Sequence, residues 1–270
     1  MKKIKFKVIA SLLAATLLFT GCGAGGSSDD DGLRISVGAT AIPHTEILEF
    51  IREDLAEHGI TLEITTFSAF HLINPAVYEG QVDANFFQHL PFLENYIANS
   101  GHDLVSVAAV HIEPMGIYSS RISSLDELPD GAVAAIPNDA TNGGRALLIL
   151  EYHGLIGLRD GVGFSATPLD IVYNPKNLQI QQLEAAVLPR ALDDTYIALI
   201  NTNIALAAGL HPATDAIAIE TTDSDYANIV VVRAGNENLY TVQRLVEALT
   251  SERVRTFIEE SYGGAVVPAF

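Results

Sequence analysis

Basic side chains are scarce in this sequence: 15 Lys and Arg stand against 33 Asp and Glu, a net charge of −18. Phosphate backbones are bound by clustered positive charge that displaces counterions, so a chain this acidic is not a general nucleic-acid binder. Cysteine occurs once. That excludes an internal disulfide and the multi-thiolate cages of structural zinc, and it leaves stability to packing. The material for packing is present, because 49% of the 270 residues are hydrophobic and 18% charged, enough for one large domain or two lobes.

Catalytic signatures are missing as well. No GxxxxGK[ST] phosphate loop, HExxH or GxSxG occurs, and the one cysteine lies ahead of the folded part, so no catalytic residue is expected. Gly161-Val162-Gly163-Phe164-Ser165-Ala166 fits a loose dinucleotide fingerprint, but it follows a helical segment rather than a strand and reads as a turn. His44, His89, His111 and Glu113 carry suitable metal donors without the close spacing of a ligand set. They read as core or loop residues, and neither a metal site nor another cofactor is expected. No repeat of solenoid period is present.

What is there begins with Lys2, Lys3, Lys5 and Lys7, a basic lead into an apolar run from Val8 to Phe19. That run is shorter than the roughly 20 residues that span a bilayer, and it has the form of an export signal. It ends in Leu18-Phe19-Thr20-Gly21-Cys22, which resembles a bacterial lipobox, where small residues precede a cysteine that is diacylated and becomes the new N-terminus. Residues 1–21 are therefore expected to be a lipoprotein signal peptide and Cys22 the site of lipidation, with the protein anchored on the extracytoplasmic face of the cell membrane. Residues 22–32, with Ser27, Ser28 and the acidic Asp29, Asp30 and Asp31, lack apolar periodicity and read as a flexible tether. Removing residues 1–21 takes four lysines and no acid, which leaves a net charge of −22. Such a charge solubilises the protein and repels anionic lipid, so the acyl chains must hold it at the membrane.

From Leu33 onward short apolar runs alternate with helical segments, the pattern of an α/β fold. Strands are expected at 34–38, 61–67, 83–87 and 104–112, with parallel pairing. A helix presents Ile47, Leu48, Ile51 and Leu55 on one face and stops at Gly59, and another starts at Pro91. A second block opens at Ser124, with strands at 133–136, 198–200 and 229–232 and a helix at 145–152. One amphipathic helix is expected over 245–258.

Two segments carry binding chemistry. Ile136-Pro137-Asn138-Asp139-Ala140-Thr141-Asn142-Gly143-Gly144-Arg145 takes a strand into a helix. Thr141 or Asn142 can cap that helix, the glycines leave backbone N–H groups uncovered, and Arg145 can fork onto a carboxylate at the positive end of the dipole. A structural turn with a surface arginine has the same spacing. The second segment, Asn85-Phe86-Phe87-Gln88-His89-Leu90-Pro91-Phe92, gathers aromatics and a histidine at a strand end, with Phe70 upstream. Rings can enclose an unbranched, polarizable side chain, and alternation along a strand sends Phe86 and Phe87 to opposite faces, one to a site and one to the core.

Longer stretches carry a family resemblance. Val37-Gly38-Ala39-Thr40, Asp83-Ala84-Asn85-Phe86-Phe87-Gln88-His89, His111-Ile112-Glu113-Pro114-Met115-Gly116-Ile117-Tyr118-Ser119, Ser124-Leu125-Asp126-Glu127-Leu128-Pro129-Asp130-Gly131 and Ile136-Pro137-Asn138-Asp139 are in order along the chain. With Asn174-Pro175-Lys176-Asn177-Leu178, Leu188-Pro189-Arg190-Ala191-Leu192-Asp193-Asp194 and Gly263-Gly264-Ala265-Val266-Val267-Pro268, they resemble the methionine-binding lipoproteins of ABC importers.

The resemblance implies a two-lobed fold like that of periplasmic binding proteins, closing on its ligand about a hinge of two crossing strands. Lobe one would be 33–118 and 232–270, lobe two 119–231, with crossings at Gly116 to Ser119 and Asn228 to Val232. It implies that Phe70, Phe87, His89 and Phe92 line a side-chain pocket, that Arg145 holds a carboxylate, and that Asn201 and Asn228 hold polar ends of the amino acid; Asn142 is counted with them. Phe70 and Phe92 stand where the family often has Tyr. The function implied is capture of methionine, without chemistry, for an importer whose permease is driven by a separate ATPase. Another apolar amino acid or a methionine-containing dipeptide is the alternative within the class. A metal-binding lipoprotein or a lipid-anchored hydrolase would need ligand or nucleophile spacings that are absent.

Overall fold

The computed structural model describes residues 32–220 and 226–270; Cys22, the signal peptide and the tether up to Asp31 lie outside the described residues. In chain order the strands are β1 (Leu33–Ala39), β2 (Ile60–Thr66), β3 (Ala84–His89), β4 (Leu104–Ile112), β5 (Gly116–Tyr118), β6 (Val133–Pro137), β7 (Gly157–Leu158), β8 (Ile171–Tyr173), β9 (Gln179–Leu183), β10 (Ile197–Ile200), β11 (Ala216–Ile219), β12 (Ala227–Arg233) and β13 (Val267–Pro268). They form a six-stranded sheet ordered β13-β4-β12-β3-β1-β2, a five-stranded sheet ordered β11-β5-β10-β6-β9, and a β7-β8 pair. Each of the two larger sheets is the centre of one lobe.

β1 is buried from Ile35 to Ala39, as a strand covered on both faces must be. Ile47, Leu48, Ile51 and Leu55, all fully buried, cover the six-stranded sheet with Val242, Leu245, Leu249, Val254 and Ile258. The latter come from two helices, Tyr240–Leu249 and Glu252–Tyr262, where the sequence suggested one. Ser251 caps the second by accepting from the Val254 N–H, so the apolar face continues while the axis breaks. The other lobe buries Ile117, Ala134, Ile136, Ile197 and Leu199 against Ala146, Leu147 and Leu150 of the helix Ala140–Tyr152.

Parallel pairing holds for β1 with β2 and β3, and for β6 with β9 and β10. β12 instead runs antiparallel between β3 and β4. It enters from the other lobe, so its first residues lie where β3 and β4 end. The same geometry moves the lobe boundaries from those expected at 118 and 232. Gly116–Tyr118 pairs within the five-stranded sheet and Ala227–Arg233 within the six-stranded one, so the first crossing precedes Gly116 and the second precedes Ala227. The carboxyl ends of β1, β3 and β4 in one lobe, and of β6 and β10 in the other, are directed at the cleft. Open α/β sheets bind their ligands at such ends.

Candidate functional site

A cavity lies between the lobes. Phe70, Phe87, His89, Phe92, Asn142, Arg145, Asn201 and Asn228 all line it. All of these except Phe92 are buried. The sequence-derived residues therefore come together in one place, from positions up to 158 residues apart.

One wall is aromatic. Phe87 stands 5.7 Å from Phe92 and 5.9 Å from Phe70 between ring centroids, and Phe70 and Phe92 meet edge to face at 6.2 Å. Phe86, the next residue on β3, points the other way into the lobe core and is fully buried there. Behind the rings, Asn74, Asn85 and Gln88 bond one another through their amides, so the wall rests on a satisfied polar cluster rather than on a void.

His89 joins the two lobes. Its Nδ1 accepts from the Phe92 N–H at 3.2 Å, capping the helix Leu90–Ser100, which puts the ring proton on Nε2. Nε2 then donates to Asn142 Oδ1 in the other lobe, also at 3.2 Å, and the same oxygen accepts from Asn201 Nδ2 at 2.7 Å. Burial, helped by the Arg145 charge, lowers the His89 pKa to about 3, so this imidazole is neutral at ordinary pH.

The expectations for the Arg145 loop need correction. Asp139, not Thr141 or Asn142, caps the helix, accepting from the Asn142 N–H at 2.9 Å. Arg145 consequently lies in the second turn rather than at the helix N-terminus. The glycines serve close packing instead of ligand approach: a Cβ on Gly143 would stand 2.9 Å from the Pro137 carbonyl oxygen, and one on Gly144 would collide with the Phe164 carbonyl oxygen. Nor is the guanidinium fork free. Nε lies 3.0 and 3.1 Å from the two Glu220 oxygens, and Nη2 bonds Glu220 as well as the Glu113 carbonyl oxygen. The Tyr226 ring lies 4.0 Å from the guanidinium carbon. Nη1 makes no hydrogen bond to a described residue.

Gln88, Glu113 and Asn203 also line the cavity and were not singled out as ligand contacts. The polar run Asn201-Thr202-Asn203, directly after apolar β10, was the available signal for Asn203. Glu113 had been considered with His44 and His111 as a metal donor and set aside on spacing. The fold brings those three donor groups within 4.8 Å of one another, all buried. Glu113 Oε1 lies 2.7 Å from His111 Nε2 and 3.4 Å from His44 Nε2, and Oε2 accepts from the Asn203 N–H at 2.8 Å. Burial lowers the pKa of His44 to about 4 and of His111 to about 3, and it raises that of Glu113.

Two lobes with strand ends facing an interlobe cavity lined by rings, amides and an arginine define a substrate-binding protein of the two-lobed kind. Residues 35–270 match the family described as NlpA lipoprotein, and the chain belongs to that family. It is 43% identical over 268 residues to a D-methionine-binding lipoprotein MetQ of Salmonella typhimurium, covering 97% of this chain and 98% of that one. The D-methionine-binding lipoprotein MetQ of Escherichia coli K12 is 41% identical over the same length and shares. Among solved structures, a nutrient binding protein from Burkholderia cenocepacia bound to methionine superposes with a TM-score of 0.85 at 42% identity, covering 87% of this chain and all of that one.

Proposed function

We propose that this protein captures methionine outside the cytoplasmic membrane and hands it to an ABC importer, a permease powered by a separate ATPase. The observation that carries the reading is the interlobe cavity, whose wall of Phe70, Phe87 and Phe92 suits an unbranched thioether while Arg145 and the amides suit an amino acid's polar end. Sulfur is favourable at a ring edge. The names of the relatives at about 40% identity support the same ligand. No chemistry is required of the protein; its work is binding and release. Cys22, lipidated, anchors it to the membrane, and Cys22→Ser should release it into the soluble fraction with binding intact.

Calorimetry against L- and D-methionine, glycyl-methionine, leucine, glutamate and lysine tests the ligand. A methionine isomer should bind much more tightly than glutamate or lysine, whose side-chain charges would be buried unpaired at a cost of several kcal/mol. Equal affinity for a charged amino acid would sink the reading.

A further inference from the structure

Of the five buried apolar clusters among the described residues, four draw their buried members from a single lobe, Met115 of the first crossing aside. The fifth does not. It joins Phe70, Ile73 and Phe87 of the six-stranded lobe to Ala185 of the five-stranded one, with Phe67, Phe92 and Ile204 packed around them. Ala185 follows β9 and opens the short 3-10 turn Ala185–Val187. It is 4% exposed, whereas Ala186 and Val187 beside it are exposed, so its own turn does not cover it. The apolar side chains of the opposite lobe do.

Neither Ala185 nor Ile204 lines the ligand cavity. Their contact lies behind the aromatic wall: Phe70 and Phe87 line the cavity, while Phe67 and Ile204 line a separate groove. All members of this seam are apolar. A polar link next to it in sequence, His71 Nδ1 to Glu184 Oε1 at 3.9 Å, is open to solvent and contributes little. Apolar contact is non-directional and grows with the area removed from water, so such a seam favours approach of the lobes whatever the cavity holds.

We propose that Ala185 and Ile204 are positioning residues for capture: they seat the five-stranded lobe against the rings, set the fraction of ligand-free molecules that close, and thereby scale the affinity for every ligand without touching one. The inference rests on the two-lobed capture reading and deepens it. Where only the closed form binds tightly, the apparent dissociation constant is the intrinsic one divided by the closed fraction, so a change in that fraction multiplies the constants of all ligands equally. A residue that shapes the side-chain pocket acts differently, because it shifts one ligand more than another.

The test is calorimetry with methionine, norleucine and ethionine, which share both backbone groups and differ only along the side chain, on wild type, Ala185→Ser and Ala185→Gln. Ala185→Gln puts an amide into the seam and should weaken all three by one common factor of about tenfold or more. Ala185→Ser, close to alanine in size, should show a smaller common factor. Thermal melts supply the second readout. In the open majority of ligand-free molecules Ala185 is free of the rings, so Ala185→Gln should melt with wild type and gain less on adding the same concentration of methionine. Losses that differ between ligands by more than about threefold would make Ala185 a shaper of the side-chain pocket and overturn the inference. A lower ligand-free melt would make it permanent core and overturn it as well, as would unchanged affinities. Should Ala185→Gln fail to fold, Ala185→Ser decides on the same criteria. Wild type that binds none of the three ligands refutes the methionine reading, and the ligand-free melts then judge the seam by themselves.

Discussion

The two lobes furnish unequal chemistry to one cavity. The six-stranded lobe supplies every ring, Phe87 and His89 from β3, Phe92 from the helix that β3 leads into and Phe70 from the turn before the helix Ile73–Tyr78, together with the amides of Gln88 and Asn228. The five-stranded lobe supplies Asn142, Arg145, Asn201 and Asn203, all amide or guanidinium. Apolar contact is tolerant of shape and rewards area, whereas a guanidinium or a carboxamide rewards position. On the proposed function the ligand's side chain would be read by one lobe and its polar end by both.

The strongest way to break that division is Arg145→Ala. Methionine binding should weaken by at least about a hundredfold, because a buried charge deprived of its partner costs about 3–5 kcal/mol. Since Glu220 loses its partner too, the ligand-free protein should also melt lower, and adding methionine should restore little. Unchanged affinity in a destabilised Arg145→Ala would make the arginine a lobe strut only. Arg145→Lys should rescue part of both, because a point charge cannot span Glu220 and a ligand as the planar group can.

The aromatic wall is tested by a neighbouring pair. Phe86→Ala should cost about 3–5 kcal/mol of stability with affinity nearly unchanged, as core truncations do, whereas Phe87→Ala should cost about 1.5–3 kcal/mol of binding. Denaturation and calorimetry on both variants check this, and the reverse result would mean that the cavity faces the other side of β3.

Acid should weaken the fold across both walls. His44, His89 and His111 titrate near 6.5 in the unfolded chain but only at about 4, about 3 and about 3 in the folded one. Between about pH 6.5 and 4 the unfolded state binds more protons, so stability falls as pH falls, by at most about 1.4 kcal/mol per unit for each histidine. Glu113 and Asp139, whose pKa values are raised by burial, act in the opposite sense and make the net slope shallower. The melting temperature followed from pH 7 to pH 4.5 should decline; a flat or rising curve contradicts the neutral imidazoles. The smallest effect should come from Asp139→Ala, about 1 kcal/mol of stability from the lost helix cap, with a modest loss of affinity as Asn142 loosens.

Much of this was legible along the chain, but unevenly. Alternation alone separated Phe86 from Phe87, and Leu104–Ile112 could be read as a strand because nine residues of mostly apolar, β-branched character leave little else. Three capping residues within four positions, Asp139, Thr141 and Asn142, left the helix start ambiguous, and Thr250-Ser251 hid a break because the apolar face continues past it. What could not be read was pairing at a distance. Arg145 and Glu220 are 75 residues apart, and His44 lies 67 residues before His111, so no local pattern announces either contact. The direction of β12 likewise depends on which lobe the chain has just left.

The bond from His89 to Asn142 ties one lobe to the other across the cavity, so a ligand bound as proposed would lie behind it. A guest enclosed in this way cannot peel off contact by contact; it waits for the lobes to part. Exchange then runs on the clock of that opening, and in stopped-flow mixing the observed rate should level off at high ligand concentration instead of climbing without limit. Residence time would thereby become a property of the latch as much as of the ligand, and loosening the His89–Asn142 bond from the Asn142 side would shorten the wait while leaving the aromatic wall in place.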